Sequence, residues 1–142
     1  MELKLFNELP NEAKHIRIKV FIEEQGFKNE FDEIDKTSHH IVCYVDGKAV
    51  GTARFFNNDS TEPLTYHLGR ICVLKEYRKM HIGRKIIDFA ENEIKRLNGN
   101  KIVLSSQVRA KDFYNKCGFI QTGSEYFDEY CPHIMMYKII DK

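Results

Sequence analysis

The chain has 142 residues, enough for one ordinary domain that buries roughly two thirds of the surface its unfolded form exposes. Apolar residues make up 42% and charged residues 30%, with ten Phe, seven Tyr and no Trp, a composition that excludes disordered and fibrous classes and predicts an aromatic-rich core. The net charge of +1 gives the whole molecule no drive towards nucleic acid or an anionic membrane, so any electrostatic preference has to come from local patches.

Residues 1–6 alternate apolar and polar as a half-buried strand does, and Asn7 followed by Pro10 suits a helix start. Ile16, Val20, Phe21 and Glu24 then lie on or near one helical face, which ends at Gln25-Gly26. Residues 27–38 mix acidic and scattered apolar side chains without a sustained period and read as a loop or a broken helix. Two strand-like runs, 40–45 and 48–56, flank Asp46-Gly47, a strong hairpin signal. Residues 57–63 carry turn chemistry, and 66–74 read as the next strand.

Ile82, Ile86, Ala90, Ile94 and Leu97 recur at helical spacing and predict one apolar stripe, closed by Asn98-Gly99. Residues 101–105 form a short buried-type strand, and a helix of about four turns between it and the previous strand makes a parallel crossover the natural connection. A second helix, about 109–116, stops at Cys117-Gly118, where Gly118 suits a left-handed cap. Two final strands, 119–127 and 133–140, complete the order β-α-β-β-β-α-β-α-β-β. The expected fold is α/β, a single domain over 1–142 with a mixed, mostly antiparallel sheet flanked by helices.

No apolar stretch approaches the ~20 residues of a membrane span, and the first six residues lack the pattern of a signal peptide, so a cytoplasmic protein is expected. Cys43, Cys72, Cys117 and Cys131 are irregularly spaced, with no C-x-x-C and no histidine at zinc-finger spacing, which predicts reduced, buried thiols and no metal.

The most informative segment is 75–85, Lys-Glu-Tyr-Arg-Lys-Met-His-Ile-Gly-Arg-Lys, with five basic side chains against one Glu, +4 in all. It lies between a strand and an amphipathic helix, so the first helical amides and the positive end of the macrodipole point back into the basic turn and favour an anion there. A second patch has the opposite sign: residues 23–35 carry six carboxylates against Lys28, −5 in all.

Strand, Arg78-Lys-Met-His-Ile-Gly83, amphipathic helix, strand and then Asp112-Phe-Tyr-Asn-Lys-Cys-Gly-Phe119 resembles the GCN5-related N-acetyltransferase (GNAT) family, whose acetyl-CoA site opens with Arg/Gln-x-x-Gly-x-Gly/Ala. The likeness covers nearly the whole chain. Val20-Phe-Ile-Glu-Glu-Gln25, Glu33-Ile-Asp35 with His39 and His40, Gly69-Arg-Ile-Cys-Val73 and Pro132-His-Ile134 look like the small bacterial ElaA/YjcF-type branch.

The resemblance implies a sheet splayed at the cofactor site, with the pantetheine arm of coenzyme A hydrogen-bonding the strand at Ile71, Cys72 and Val73. It implies pyrophosphate on the amides of Arg78, Lys79, Met80, His81, Ile82, Gly83 and Arg84, with the side chains of Arg78, Lys79 and Arg84 assisting and Lys116 within reach of a phosphate. His81 departs from the pattern, standing where the family has its first glycine. If the backbone there needs positive φ, the imidazole carries a penalty of order ~1 kcal/mol.

For the chemistry, the resemblance makes Tyr114 the general acid to the departing thiolate, with Phe113 packed against the core or pantetheine, and puts an oxyanion donor near Cys72 and Val73. Glu24, Glu33, Asp35, His39, His40 and His133 all fall in segments that border the acceptor pocket in this fold, and Glu33 is the first choice of base. The acidic stretch suggests an amine acceptor such as a polyamine, a basic metabolite, a lysine or a peptide N-terminus. GNATs are often dimers, and the last two strands are a plausible place for pairing.

Two readings of other classes stand beside this one. A coenzyme A-binding sensor would keep the phosphate turn and lack the chemistry, and a nucleic-acid module would rest on the basic turn alone. A nucleoside triphosphatase is excluded by the lack of G-x-x-x-x-G-K-[ST].

Overall fold

A computed structural model describes residues 1–57 and 62–140. The elements are β1 (Glu2–Phe6), α1 (Asn11–Arg17), a π-wound segment (Ile18–Glu24), a 3-10 turn (Glu33–Lys36), β2 (His39–Val45), β3 (Lys48–Asn57) and β4 (Thr65–Val73). A second 3-10 turn (Lys75–Met80), α2 (Ile82–Arg96), β5 (Lys101–Gln107), α3 (Lys111–Lys116), β6 (Ile120–Asp128) and β7 (Cys131–Ile139) follow. The strands form one seven-stranded sheet in the order β1-β2-β3-β4-β5-β7-β6. β4 and β5 run parallel, while β1/β2, β2/β3, β5/β7 and β6/β7 are antiparallel.

Two compact units divide the chain, residues 1–56 with 68–90 and residues 57–67 with 91–142, so that β4 and α2 each contribute to both. In the first unit the hairpin forms as Asp46-Gly47 predicts. Both turn residues have positive φ, 51° and 80°, the pattern whose twist matches the flanking strands. Gly51 on β3 is required by close approach: a Cβ there would lie 2.9 Å from Ile86 Cδ1 and 3.1 Å from Ile82 Cγ2 of α2.

The same unit contains a buried charge cluster. Arg17, 1% exposed at the end of α1, donates from Nε to Glu30 Oε2 at 2.8 Å and from Nη1 to Asp35 Oδ1 at 2.7 Å. Arg54 of β3 donates from Nη1 to Asp32 Oδ1 at 2.6 Å and to Asp35 Oδ1 at 2.8 Å. Arg70 of β4 donates from Nε to the Glu30 carbonyl at 3.1 Å and lies 3.2 Å from Glu30 Oε2. Three guanidinium groups thus balance three carboxylates, and side chains join a 3-10 turn in holding a segment that shows no periodicity in the sequence.

In the second unit the parallel ladder joins Thr65, Tyr66 and His67 to Lys101, Ile102 and Val103. Beyond it β4 runs on to Val73 and β5 to Gln107, where β5 continues to pair with β7. Gly118 caps α3 at φ 97°, as its position predicts. β6 is the edge strand of the sheet, and all nine of its residues are exposed.

Three expectations need correction. The core is aliphatic: nine isoleucines are buried, but only Phe21, Phe27, Phe55 and Phe119 among the phenylalanines and none of the tyrosines. Branched aliphatic side chains fill the interior, while most of the rings are half-buried or exposed. Leu97, in line with the apolar stripe of α2, is 42% exposed because it sits at the last turn just past Arg96, where α2 ends. The helix closes at Asn98-Gly99 as expected, with Asn98 in the left-handed conformation at φ 69°. Gly99 is small because a Cβ there would lie 2.4 Å from Ile94 Cγ2. The first helix also changes to π winding at Ile18, which its apolar spacing does not announce. The turn expected over 57–63 lies mostly outside the described residues.

Arg17→Leu, which leaves three carboxylates facing two guanidinium groups in a buried site, is expected to destabilise the protein by about 3–5 kcal/mol in denaturant unfolding.

Candidate active site

The basic turn has the geometry of an anion seat. Lys75–Met80 winds as a 3-10 turn, His81 reverses it with φ 59° and ψ 25°, and Ile82 begins α2. Lys85 N–H closes a helical turn on the His81 carbonyl at 3.2 Å, and the amides of Ile82, Gly83 and Arg84 precede it at the positive end of a 15-residue helix. Buried Ile82, Ile86 and Ala90 fix that helix in the first unit, so its N-terminus is a rigid feature. Lys79, Met80, His81 and Arg84 are exposed on the turn, while Ile82 is buried and Gly83 half-buried. Arg84 Nε lies 3.4 Å from Asp88 Oδ1 in an exposed ion pair.

His81 therefore occupies a left-handed position, as its place in the glycine pattern requires. Its imidazole is exposed, so the conformation is sustained by the turn on either side.

Arg78 is exposed only in part and is engaged. Its two terminal nitrogens donate to the Glu24 carboxylate at 2.6 Å each, and Nε donates to the Val73 carbonyl at 2.9 Å. Upstream, β4 carries the half-buried Ile71, buried Cys72 and half-buried Val73 directly after Arg70, whose φ is 50°. The neighbouring Gly69 is not the left-handed residue; Arg70 takes that conformation while its guanidinium grips Glu30 and the exposed edge of Asp32. Burial pushes the Cys72 thiol up, with nearby Glu30 adding to the effect, so it stays protonated and a poor nucleophile.

The acidic segment is sorted by the same contacts. Glu30, Asp32 and Asp35 face arginines and Glu24 faces Arg78, whereas the Glu33 side chain is 87% exposed and pairs with Lys36 at 2.9 Å. Burial raises Glu30 above the usual carboxylate range, against the pull of Arg70 and Arg17. Burial also opposes the charge of Asp35, but hydrogen bonds and attraction from Arg17 and Arg54 outweigh it and bring Asp35 down to about 2. His40 is buried, donates from Nε2 to the Asp35 carbonyl at 2.9 Å, and is lowered by burial. His39 stacks on Phe55, ring centroids 4.9 Å apart.

In the second unit Tyr114 lies half-buried on α3 between two rings, with centroids 5.1 Å from Phe113 and 6.1 Å from Phe119. Phe113 and Lys116 are exposed on the same short helix. His133 is buried, and because a carbonyl can only accept, its 3.0 Å contact from Nδ1 to Cys131 O assigns the proton to Nδ1. Tyr126 stacks on that imidazole and hydrogen-bonds the Ser105 hydroxyl. This Ser105, Tyr126 and His133 group was missed as a cluster, because only the β5–β7–β6 pairing brings together residues 28 positions apart.

A family model described as an acetyltransferase (GNAT) domain matches residues 8–140. The chain belongs to the GNAT family. It is 39% identical over 132 residues to a candidate acetyltransferase of Bacillus subtilis (strain 168), covering 89% of this chain and 86% of that one. It is 33% identical over 130 residues to the uncharacterized N-acetyltransferase YjcF of the same organism, covering 89% and 90%. Among solved structures, Escherichia coli ElaA superposes with a TM-score of 0.85 at 22% identity, over 96% of this chain and 98% of that one. An aminoglycoside 6'-N-acetyltransferase complexed with coenzyme A superposes with a TM-score of 0.78 at 15% identity, over 100% and 98%. This GNAT protein is accordingly an acyltransferase, and its mixed sheet and flanking helices are those of the family.

Two outcomes are expected. His81→Gly should raise stability by about 0.5 kcal/mol and His81→Val should lower it by about 2 kcal/mol in urea unfolding, because only the β-branched residue aggravates the left-handed backbone. Asp35, with its pKa depressed in the folded protein, contributes stability that is complete above about pH 4 and is lost as the pH falls through about 2; unfolding free energies measured across that window should show the decline.

Proposed function

We propose that the protein transfers the acetyl group of acetyl-CoA directly to a primary amine held in the same complex, with Tyr114 as general acid. The observation that carries this reading is the left-handed His81 set immediately before the N-terminus of α2, with Lys79 and Arg84 exposed beside it. That is a seat for a pyrophosphate, and the amides of Ile82, Gly83 and Arg84 supply it without side-chain specificity. Ile71, Cys72 and Val73 would hold the pantetheine arm through main-chain groups, and Phe113 and Lys116 would border the nucleotide and arm. Acetyl-CoA supplies an activated thioester.

The residues of this chain supply the rest. A main-chain N–H near Cys72 and Val73 would meet the negative charge that develops on the acetyl oxygen. Direct attack is favoured over a covalent acetyl-cysteine route, because Cys72 lies in the relevant strand and burial keeps its thiol protonated. The Tyr114 hydroxyl would return a proton to the leaving sulfur. Glu33 is the proposed base, since the other carboxylates of residues 30–35 are committed to arginines. That commitment also weakens the acidic stretch as an electrostatic lure, because most of its negative charge is answered within the protein.

Acetyl-CoA consumption over a panel of polyamines, amino sugars and lysine peptides tests the proposal. Turnover on at least one amine is expected, with kcat in Tyr114→Phe reduced by about 100-fold. Coenzyme A binding without acetylation of any amine would instead favour a sensor. Glu33→Gln should abolish the acidic limb of the pH–rate profile, and an unchanged profile would remove Glu33 from the mechanism.

A further inference from the structure

Arg78 opens the basic turn, where its family position suggests a phosphate ligand, yet its donors point elsewhere. Nη1 and Nη2 take the two oxygens of Glu24 in a parallel fork, each at 2.6 Å, and Nε takes the Val73 carbonyl at 2.9 Å. All three nitrogens of the guanidinium therefore meet protein acceptors. Paired this way, a planar guanidinium is fixed in orientation as well as position, which a lysine could not reproduce.

The groups it joins are remote in sequence. Glu24 ends the π-wound segment, Val73 ends β4, and Arg78 itself lies within the 3-10 turn that leads to the amides of α2. Leu74 N–H is also engaged, on the Val50 carbonyl at 2.8 Å, so the main-chain groups at the end of β4 are occupied on both sides of the Val73–Leu74 peptide. Any strand-like arm added along β4 would have to stop there and turn towards α2.

We propose that Glu24 and Arg78 form a strut that sets the phosphate turn against the end of β4, which makes Glu24 a positioning residue for coenzyme A. The inference rests on the acetyl-CoA reading above. In it the pyrophosphate meets the amides of Ile82 to Arg84 and the side chains of Lys79 and Arg84, and Arg78 remains on Glu24. The opposing arrangement, in which Arg78 swings onto phosphate, breaks two charge-assisted bonds and leaves the Glu24 carboxylate facing an incoming anion. The geometry favours the strut, because all three nitrogens of the Arg78 guanidinium already donate to protein acceptors that a phosphate would have to displace.

The two arrangements predict opposite signs for one substitution. Titration of the full-length protein with coenzyme A, for wild type, Glu24→Gln, Arg78→Lys and the double variant, separates them. The strut predicts a Kd raised roughly three- to fivefold in Glu24→Gln, discounted for partial exposure of the pair, a similar rise in Arg78→Lys, and no further rise in the double variant. The KM for acetyl-CoA should follow, while kcat and the KM for the amine stay within about twofold, a split that general loss of structure does not produce. A Kd in Glu24→Gln that falls or stays within about twofold of wild type, or losses that add in the double variant, would overturn the strut and leave the acetyl-CoA reading intact. A wild type that binds no coenzyme A would overturn that reading and the strut with it.

Discussion

The buried balance of Arg17, Arg54 and Arg70 against Glu30, Asp32 and Asp35 is the constraint on which the first unit depends. It ties the end of α1, the segment 30–35 with its 3-10 turn, β3 and β4 into one framework through side-chain contacts. Taking ions out of water is costly, and the cluster is tolerated only because nearly every donor has an acceptor. Among the described residues Arg54 Nε is the exception, a buried donor with no hydrogen-bond partner. One consequence reaches the site: Arg70 adopts its left-handed conformation while gripping Glu30, and β4 leaves that residue directly into Ile71, Cys72 and Val73. A local backbone irregularity is thus sustained by charge pairing at a distance.

A second ion pair repeats the device at the C-terminal end of the same strand. Arg78 engages Glu24 and the last carbonyl of β4, so the stretch proposed to receive the pantetheine arm, Ile71 to Val73, lies between two ion-paired arginines. In the proposed reading the backbone between them carries the recognition, and burial keeps the Cys72 thiol protonated. The division of labour matches a co-substrate whose phosphates and amides are the same in every turnover.

Much of the architecture was legible in the sequence where a local rule was strong. Asp46-Gly47, the spacing of Ile82, Ile86, Ala90 and Ile94, the crossover length and Gly118 each specify structure through near neighbours, and each appears as expected. His81 was legible as a conditional: a non-glycine in a glycine position carries strain only if the turn is left-handed, and it is. What stayed hidden depends on distant partners. Arg17 and Asp35 are 18 residues apart and Arg78 and Glu24 are 54 apart, so no window on the chain shows that an acidic run is a set of buried ligands for arginines. The aromatic count misled for a related reason, since composition says nothing about which side of a strand a ring occupies.

A structure determined with coenzyme A bound tests the central claim most directly, because it shows which groups hold the phosphates. The account predicts pyrophosphate oxygens within hydrogen-bond distance of the amides of Ile82, Gly83 and Arg84, with Arg78 still forked onto Glu24. A pyrophosphate held by the Arg78 guanidinium, with Glu24 released, would contradict it.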